Sequence, residues 1–262
     1  MVTDTDTIED TRESAVQSAL GAVRSAGVPI VGDRRRALMH HKFTVVDGEW
    51  VQTGSSNYTD REVYRNNNNA IVVQSRNLAA NYTAEFEKMF AGGQFGPGKP
   101  AGVPHRVLSL AGARVESYFS PQDRGAAHVI RWVGSARQHV HFLAFAFTHD
   151  GVGDAMLERA RAGVQVAGIF ETSGSTTEFS EFKRLKEAGL EVLLDGNPYT
   201  MHHKVIVIDD RVSIFGSFNF SSSADRDNDE NLLIVEDVGV AAAFEAEYQR
   251  VRATAINPPV RR

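Results

Sequence analysis

The chain of 262 residues contains no cysteine. Disulfide bonds, zinc–thiolate centres and cysteine nucleophiles are therefore excluded. No apolar run approaches the roughly 20 residues of a transmembrane helix, so we expect no integral membrane segment. Positive charge is not in excess either, because the net charge is −5. Such a chain does not coat nucleic acid through bulk charge, although it can still contain a local basic pocket.

The start of the sequence also lacks the features of a secretory signal. Residues 1–13 are acidic and polar, whereas a signal peptide has a basic segment followed by an apolar one. The chain as given is therefore expected in the cytoplasm. A chain shortened at its N-terminus could have lost a signal, and a secreted or periplasmic protein is then the alternative.

One pattern, H-x-K-x4-D-x6-G-S-x-N, occurs twice at an offset of 162 residues. Its members are His40, Lys42, Asp47, Ser55 and Asn57 in the first copy, and His202, Lys204, Asp209, Ser217 and Asn219 in the second. The likeness extends without a gap over about 75 residues, so that Asn69 matches Asn231. We interpret the two copies as two halves of one active site.

Alternating strand and helix patterns predict an α/β fold made of two similar α/β/α halves related by pseudo-twofold symmetry, each with a largely parallel sheet. The first half spans residues 1–91, a Gly/Pro-rich linker 92–113, and the second half 114–256. The first half lacks two strands and a helix or two, as if it were N-terminally incomplete. Another chain could fill that gap, so self-association is an open alternative.

The motif residues predict phosphoryl chemistry. A lysine two residues after a histidine on a strand lies on the same face, and two such pairs can surround one phosphorus atom. The lysines would bind the non-bridging oxygens, one histidine would attack phosphorus, and the other would protonate the leaving group. No metal or other cofactor is needed, because the lysines supply the charge. The serines and asparagines of the pattern are expected to donate hydrogen bonds to the phosphate, and the two aspartates to cap hairpin turns.

This doubled pattern resembles the phospholipase D superfamily, in particular bacterial phospholipase D-like proteins, nucleases and cardiolipin hydrolases. The resemblance implies a metal-independent phosphodiesterase that acts through a phosphohistidine, with its site between the halves. Glu230 matches the family's acidic residue that orients a motif histidine, but Asn68 occupies this position in the first half. In two-copy relatives the first-half histidine is usually the nucleophile, whereas the Asn68 substitution argues the other way. The two roles therefore stay unassigned.

Three functions remain open at this point. The leading hypothesis is hydrolysis of a phospholipid head-group P–O bond, and the alternative is an endonuclease with the same mechanism. The third is an inactive or binding chain, because the first half looks incomplete.

Other histidines in the sequence could be read as metal ligands. Adjacent residues on a strand face opposite sides, so one member of His40-His41 and of His202-His203 should face away from the site. His139 and His141 share a face at ligand-like spacing, but we interpret them as structural. Residues 60–68 are interpreted as a polar loop.

Overall fold

Strands and helices alternate along residues 1–259, the part of the chain that the computed structural model describes. The helices are α1 (Thr5–Glu9), α2 (Ser14–Ser25), α3 (Asp60–Tyr64), α4 (Arg76–Phe90), α5 (Gly125–Gly134), α6 (Asp150–Arg161), α7 (Glu181–Glu187), α8 (Ser222–Arg226) and α9 (Val238–Ile256). The strands are β1 (Val2–Thr3), β2 (Val31–Gly32), β3 (Phe43–Val46), β4 (Trp50–Gly54), β5 (Ala70–Gln74), β6 (Val107–Leu110), β7 (Ala113–Ser120), β8 (His139–Ala144), β9 (Gln165–Phe170), β10 (Glu191–Leu194), β11 (Lys204–Ile208), β12 (Val212–Gly216) and β13 (Glu230–Glu236). Among the helices described, none combines the length and hydrophobicity that a bilayer crossing requires.

The second half contains an eight-stranded sheet with the order β10-β9-β8-β11-β12-β13-β7-β6. Strands β8, β9 and β10 are parallel, whereas the other neighbouring pairs are antiparallel. The α/β class is confirmed, but the expectation of a largely parallel sheet is wrong. Strands β11 and β12 are joined by the tight turn of Asp209 and Asp210, which have φ of +52° and +50°, and a tight turn can only join antiparallel strands.

The first half repeats part of this arrangement at the 162-residue offset. Strands β3, β4 and β5 form a three-stranded antiparallel sheet that matches β11–β13, and the parallel pair β1–β2 matches β9–β10. Residues 1–259 contain no first-half counterpart of β7, α5, β8 or α6. Because β8 joins β9 to β11 in the second half, the first-half strands without such a strand stay in two separate sheets.

One face of the three-stranded sheet is open to solvent. In the second half, α5 and α6 cover the matching face and bury Ile206, Ile208, Val212, Ile214 and Ile234. The corresponding first-half residues are Thr44, Val46, Trp50, Gln52 and Val72. Two isoleucines are thus replaced by polar residues, while Val46, Trp50 and Val72 are exposed. A first half without these helices was expected to expose this face of its sheet, and the structure shows it exposed. Thr44 and Gln52 make part of the face polar.

The two halves share a hydrophobic core on the opposite face of the large sheet. Val51 and Tyr82 of the first half pack in one cluster with Val205, Phe215 and Tyr248 of the second. Helices α4 and α9 occupy equivalent positions at this core. The halves are therefore packed as one body, and residues at their seam have fixed relative positions.

The segment predicted as a linker is folded into this seam. Val107–Leu110 pairs with β7 as strand β6, and Lys99 is only 4% exposed. Its Nζ contacts the buried carboxylate of Glu85 on α4 and lies 2.6 Å from that of Asp229 in the second half. A buried ammonium group thus bridges carboxylates from both halves, which stabilises it against the cost of removing it from water.

The open face leads to a prediction for two equivalent positions. Val72 is 62% exposed and Ile234 is 1% exposed. Val72→Thr should change the free energy of unfolding by less than about 0.5 kcal/mol. Ile234→Thr should lower it by about 2–4 kcal/mol, because it removes buried apolar atoms and buries a hydroxyl group. Urea unfolding of both variants measures this, and a large loss for Val72→Thr would mean that the face is covered in solution.

Candidate active site

The two motif histidines are held at the seam by backbone from the opposite half. The His40 amide donates to the carbonyl of Asp229 at 3.0 Å, and the His202 amide donates to that of Asn67 at 2.8 Å. Each contact belongs to a short parallel bridge between the halves. Both motifs therefore reach the same seam, as the sequence predicted.

The neighbouring histidines point to the other side of their strands. His203 Nε2 lies 2.8 Å from Glu247 of α9, and His41 Nε2 lies 3.4 Å from Glu85 of α4. Glu85 and Glu247 are themselves related by the 162-residue offset. The predicted alternation is confirmed, and His41 and His203 anchor the strands to the two equivalent helices.

Both motif lysines are buried, with 3% exposure for Lys42 and 1% for Lys204. Each Nζ donates to the carbonyl of its own motif histidine, at 2.7 and 2.8 Å. Burial lowers the pKa of Lys42 to about 8. Burial and the charge of Lys42 hold the pKa of Lys204 well below its usual range. An anion that enters the site favours the ammonium form of both lysines, and the buried charges that result are poorly screened by water.

Phe145 forms an aromatic wall on the Lys204 side of the site. Its ring centroid lies 4.6 Å from Lys204 Nζ and 4.7 Å from the centroid of the His202 ring. An apolar residue in a strand pattern is ordinarily part of the core, so the placement of Phe145 beside the site was not predicted. Phe145 directly follows β8, a strand with no counterpart in the described first half, and the His40 side thus has no equivalent aromatic.

His40 is paired with a carboxylate of the second half. Its Nδ1 lies 2.8 Å from Glu230, which is fully buried and accepts a second hydrogen bond from Ser217 Oγ at 2.5 Å. Burial raises the pKa of Glu230 to about 7. Burial also lowers the pKa of His40 well below its usual value, and Lys42 and Lys204 lower it further. When the ring proton of His40 lies on Nδ1 and is donated to the Glu230 carboxylate, Nε2 is left with a free lone pair.

His202 is paired with two first-half residues. Its Nδ1 lies 3.1 Å from Asn68 Oδ1 and 3.2 Å from Glu62 Oε2, and Asn68 Nδ2 donates to that same Glu62 oxygen at 2.6 Å. Partial burial acts to raise the pKa of Glu62, but hydrogen bonding to His202 and its charge outweigh it and lower this pKa to about 2. Burial and Lys204 lower the pKa of His202 to about 4, against the opposing effect of Glu62. Glu62 thus supplies the carboxylate that position 68 lacks.

Glu62 was not among the predicted site residues, because the polar composition of residues 60–68 is typical of a loop. Asp60–Tyr64 is the short helix α3, which matches α8 at the 162-residue offset, and Glu62 stands where the second half has Ala224. A signal was available, since Thr59 followed by Glu62 is the T-x-x-E spacing typical of a helix N-terminus. What could not be read from that spacing is the contact with His202, which is 140 residues away in the chain.

The serines and asparagines of the pattern lie at two depths. Ser55 and Ser217 are fully buried, and their hydroxyl groups donate to Asn68 at 2.8 Å and to Glu230. Asn57 donates to Glu62 Oε1 at 3.2 Å. Asn219 Oδ1 is buried without a hydrogen-bond partner among the described residues. Direct phosphate binding by these four residues stays a prediction, and the two serines lie behind the residues that orient the histidines.

The glycine of each copy is required by close packing. A Cβ atom at Gly54 would lie 2.1 Å from the carbonyl oxygen of Asn69, and one at Gly216 would lie 2.3 Å from that of Asn231. Real Cβ atoms do not approach so closely. Both glycines therefore allow the neighbouring strand to bring position 68 or 230 beside the histidine of the other half.

The motif aspartates have structural placements. The Asp209 carboxylate accepts hydrogen bonds from the backbone amides of Arg137, Gln138 and His139 at 2.8–3.0 Å, so it caps the connection from α5 to β8. Asp47 and Gly48 have φ of +56° and +63° and form the β3–β4 turn. The predicted structural role of these residues is supported, although Asp209 caps a neighbouring loop as well as forming its own turn.

Comparison with known proteins gives a consistent picture. The sequence matches the family described as cardiolipin synthase, PLD-like domain, over residues 1–90 and 129–252. It is 30% identical to a phospholipase D of Rickettsia bellii over 146 residues. These residues make up 55% of this chain, and the match covers 73% of the Rickettsia protein. The structure of Nuc, a phospholipase D family member from Salmonella typhimurium, is 25% identical with a TM-score of 0.52, and covers 54% of this chain and 95% of that one. The phosphatidylserine synthase of Haemophilus influenzae, at 13% identity, shares the fold over 95% of this chain and 72% of its own, with a TM-score of 0.69.

Proposed function

Because this chain belongs to the phospholipase D superfamily and is a phosphodiester hydrolase, we propose that it cleaves the head-group P–O bond of a phospholipid through a phosphohistidine on His40. The observation that carries the mechanism is the crossed support of the two motif histidines. Each ring is held at Nδ1 by the opposite half, which leaves each Nε2 free to act. Two imidazoles fixed in this way can serve as nucleophile and as acid at one phosphorus atom.

His40 is the better nucleophile of the two. Its low pKa keeps the ring neutral, so the lone pair of Nε2 can attack phosphorus and the bond to the head-group oxygen breaks. The ring becomes positively charged as the N–P bond forms, and the Glu230 carboxylate at Nδ1 stabilises that charge. Lys42 and Lys204 stabilise the negative charge on the non-bridging oxygens.

His202 acts as the acid and then the base. Burial and Lys204 leave the pKa of His202 at about 4, although the ionised Glu62 carboxylate opposes them. A bound phosphodiester offsets the positive charge of the lysines and, together with Glu62, favours the imidazolium form of His202, which donates its Nε2 proton to the leaving alkoxide. The neutral ring then removes a proton from water, and the resulting hydroxide attacks phosphorus and releases His40. Asn68 replaces the acidic residue expected beside His202 and cannot supply its negative charge. Glu62 supplies that charge instead, so His202 can still act as the acid.

Exposed apolar side chains next to the site favour a lipid substrate. Helix α3 carries Glu62 into the site, and its next two residues, Val63 and Tyr64, are 63% and 81% exposed. Apolar side chains at the rim can contact acyl chains at a lipid surface. Nucleic acid is the second candidate, since Arg65 lies 5.2 Å from the ring centre of the half-exposed Tyr199, a pairing that can bind a phosphate and stack a base.

A direct comparison of substrates tests this choice. Vesicles with labelled phosphatidylcholine and phosphatidylglycerol should yield phosphatidic acid, and Tyr64→Ser should lower turnover on vesicles but not on a soluble short-chain phospholipid. Supercoiled plasmid provides the nucleic-acid arm. The opposite result would be nicking of the plasmid, at a rate that falls steeply with ionic strength, without release of phosphatidic acid. That result would show that the substrate is nucleic acid and not a phospholipid.

The roles of the histidines can be separated with bis(p-nitrophenyl) phosphate, whose leaving group needs no acid. His202→Ala should release about one equivalent of p-nitrophenol in a burst and then stall, because the first step survives but water is not activated. His40→Ala should show no burst. Mass spectrometry of the stalled variant should find the phosphoryl group on His40. A burst in His40→Ala instead would reverse the assignment.

Glu62→Gln tests the residue that the sequence analysis missed. This change keeps the size of Glu62 and one acceptor oxygen for Asn68 and His202, but it removes the charge and replaces the oxygen that accepts from Asn57 by a donor NH2 group. We expect kcat on a phospholipid to fall about 10- to 100-fold with little change in KM. The alkaline limb of the kcat profile should move to lower pH, because the carboxylate that favours protonated His202 is gone. Asp60→Asn, an exposed position on the same helix, is the matched control. An unchanged pH profile in Glu62→Gln would remove Glu62 from the mechanism.

A further inference from the structure

A second group of histidine and carboxylate side chains lies under α9, away from the seam. His139 and His141 share one face of β8, with ring centroids 4.7 Å apart. Glu245 of α9 lies 2.8 Å from His141 Nδ1, and Asp210 of the β11–β12 turn lies 3.1 Å from His139 Nε2. One potential ligand atom each from His139, His141 and Glu245 all lie within 4.8 Å of one another. Strand β8 and helix α9 thus direct two nitrogen atoms and one oxygen atom to one point, and Asp210 contacts the edge of this group at His139.

The side chains of this group are held in place by their neighbours. The His141 ring stacks on Tyr248 with centroids 4.4 Å apart and planes within 9°. Gln249 donates to Glu245 Oε1 at 2.7 Å, which leaves Oε2 directed at His141. The backbone of His139 is fixed by the motif residue Asp209. Such outer contacts orient the ligands of a metal before it binds.

The group is accessible and distinct from the catalytic residues. The side chains of His139, His141 and Glu245 are 13%, 11% and 21% exposed, so a hydrated ion can reach them. On β11, His141 pairs with Val207 and Ala144 pairs with Lys204. The two places are therefore about 10 Å apart along the strand, and Val207 faces α9 whereas Lys204 does not.

The described residues contain a second group of possible metal ligands, which differs because it already holds a cation. His41, Glu85 and Asp229 also lie close together, but the ammonium group of Lys99 contacts both carboxylates. A cation is therefore already built into that cluster. No lysine or arginine contacts Glu245 within the described chain, where its partners are His141 and Gln249.

We propose that His139, His141 and Glu245 form a three-residue structural site for a divalent metal ion such as Zn²⁺, with water as the remaining ligand. Two imidazole nitrogens with carboxylate oxygens suit Zn²⁺ and its first-row neighbours better than Ca²⁺ or Mg²⁺. The ion takes the place of the hydrogen bond between His141 Nδ1 and Glu245, and the ring proton of the neutral imidazole then lies on Nε2. The bound ion would link α9 to β8.

Metal-free protein titrated with ZnCl2 in a calorimeter tests this site. The wild type should bind one equivalent, and its melting temperature should rise with Zn²⁺ concentration. Co²⁺ should give the visible absorption bands of a low-coordinate nitrogen–oxygen site. His141→Ala and Glu245→Gln should weaken binding more than about tenfold, and Gln249→Ala by about 10-fold through its outer contact.

His105→Ala, at a partly buried histidine elsewhere in the chain, is the matched control and should bind Zn²⁺ like the wild type. Glu245→Gln keeps the shape of the side chain, so it reports on the site even if His141→Ala unfolds. Diester hydrolysis by Glu245→Gln should equal that of the wild type. Equal Zn²⁺ affinity in Glu245→Gln and wild type, or no binding by either, would overturn the proposal.

Discussion

Two ammonium groups buried at the seam between the halves are the constraint on which the site depends. Lys42 and Lys204 are 3% and 1% exposed, and a buried charge without a partner is strongly destabilising. Their compensation comes from Glu230 and Glu62, whose charges oppose the lowering of both lysine pKa values. One of these carboxylates belongs to each half. The site is therefore complete only when the two halves are packed together, and the shared core of α4 and α9 provides that packing.

The symmetry of the backbone is not matched by symmetry of charge. Glu230 carries a fully buried carboxylate with a pKa of about 7, whereas the equivalent residue of the first half, Asn68, carries an amide. The carboxylate beside His202 comes instead from Glu62 of α3, which is half-buried and has a pKa of about 2. Two identical environments would give both histidines the same protonation. A reaction that needs one neutral ring and one protonated ring at the same phosphorus atom benefits from this difference.

The sequence was informative where local spacing decides geometry. The doubled pattern identified His40 and His202, and strand alternation correctly placed His41 and His203 on the opposite face. Residues whose role comes from contacts across long stretches of chain could not be found in this way. Lys99 looked like part of a linker, because it is fixed by carboxylates from both halves, and Glu62 looked like part of a loop, because its histidine partner comes from the other half. The hairpin turns at Asp47 and Asp209 already indicate antiparallel neighbours, so a largely parallel sheet was a wrong expectation. The antiparallel pairs β8–β11 and β7–β13 could not be predicted, because they join strands that are distant in the chain.

The unequal halves show which parts of the fold the site requires. The core beneath α5 and α6 consists of second-half residues, and first-half counterparts of these helices do not occur within residues 1–259. The first-half site residues come from the segment before β3, from α3, and from the ends of β4 and β5. Helix α4 holds those strands against the shared core. The elements missing from the first half would cover its outer face, so the geometry of the seam can persist without them. Phe145 is the exception, because it follows β8, and the aromatic wall beside His202 is consequently unmatched beside His40.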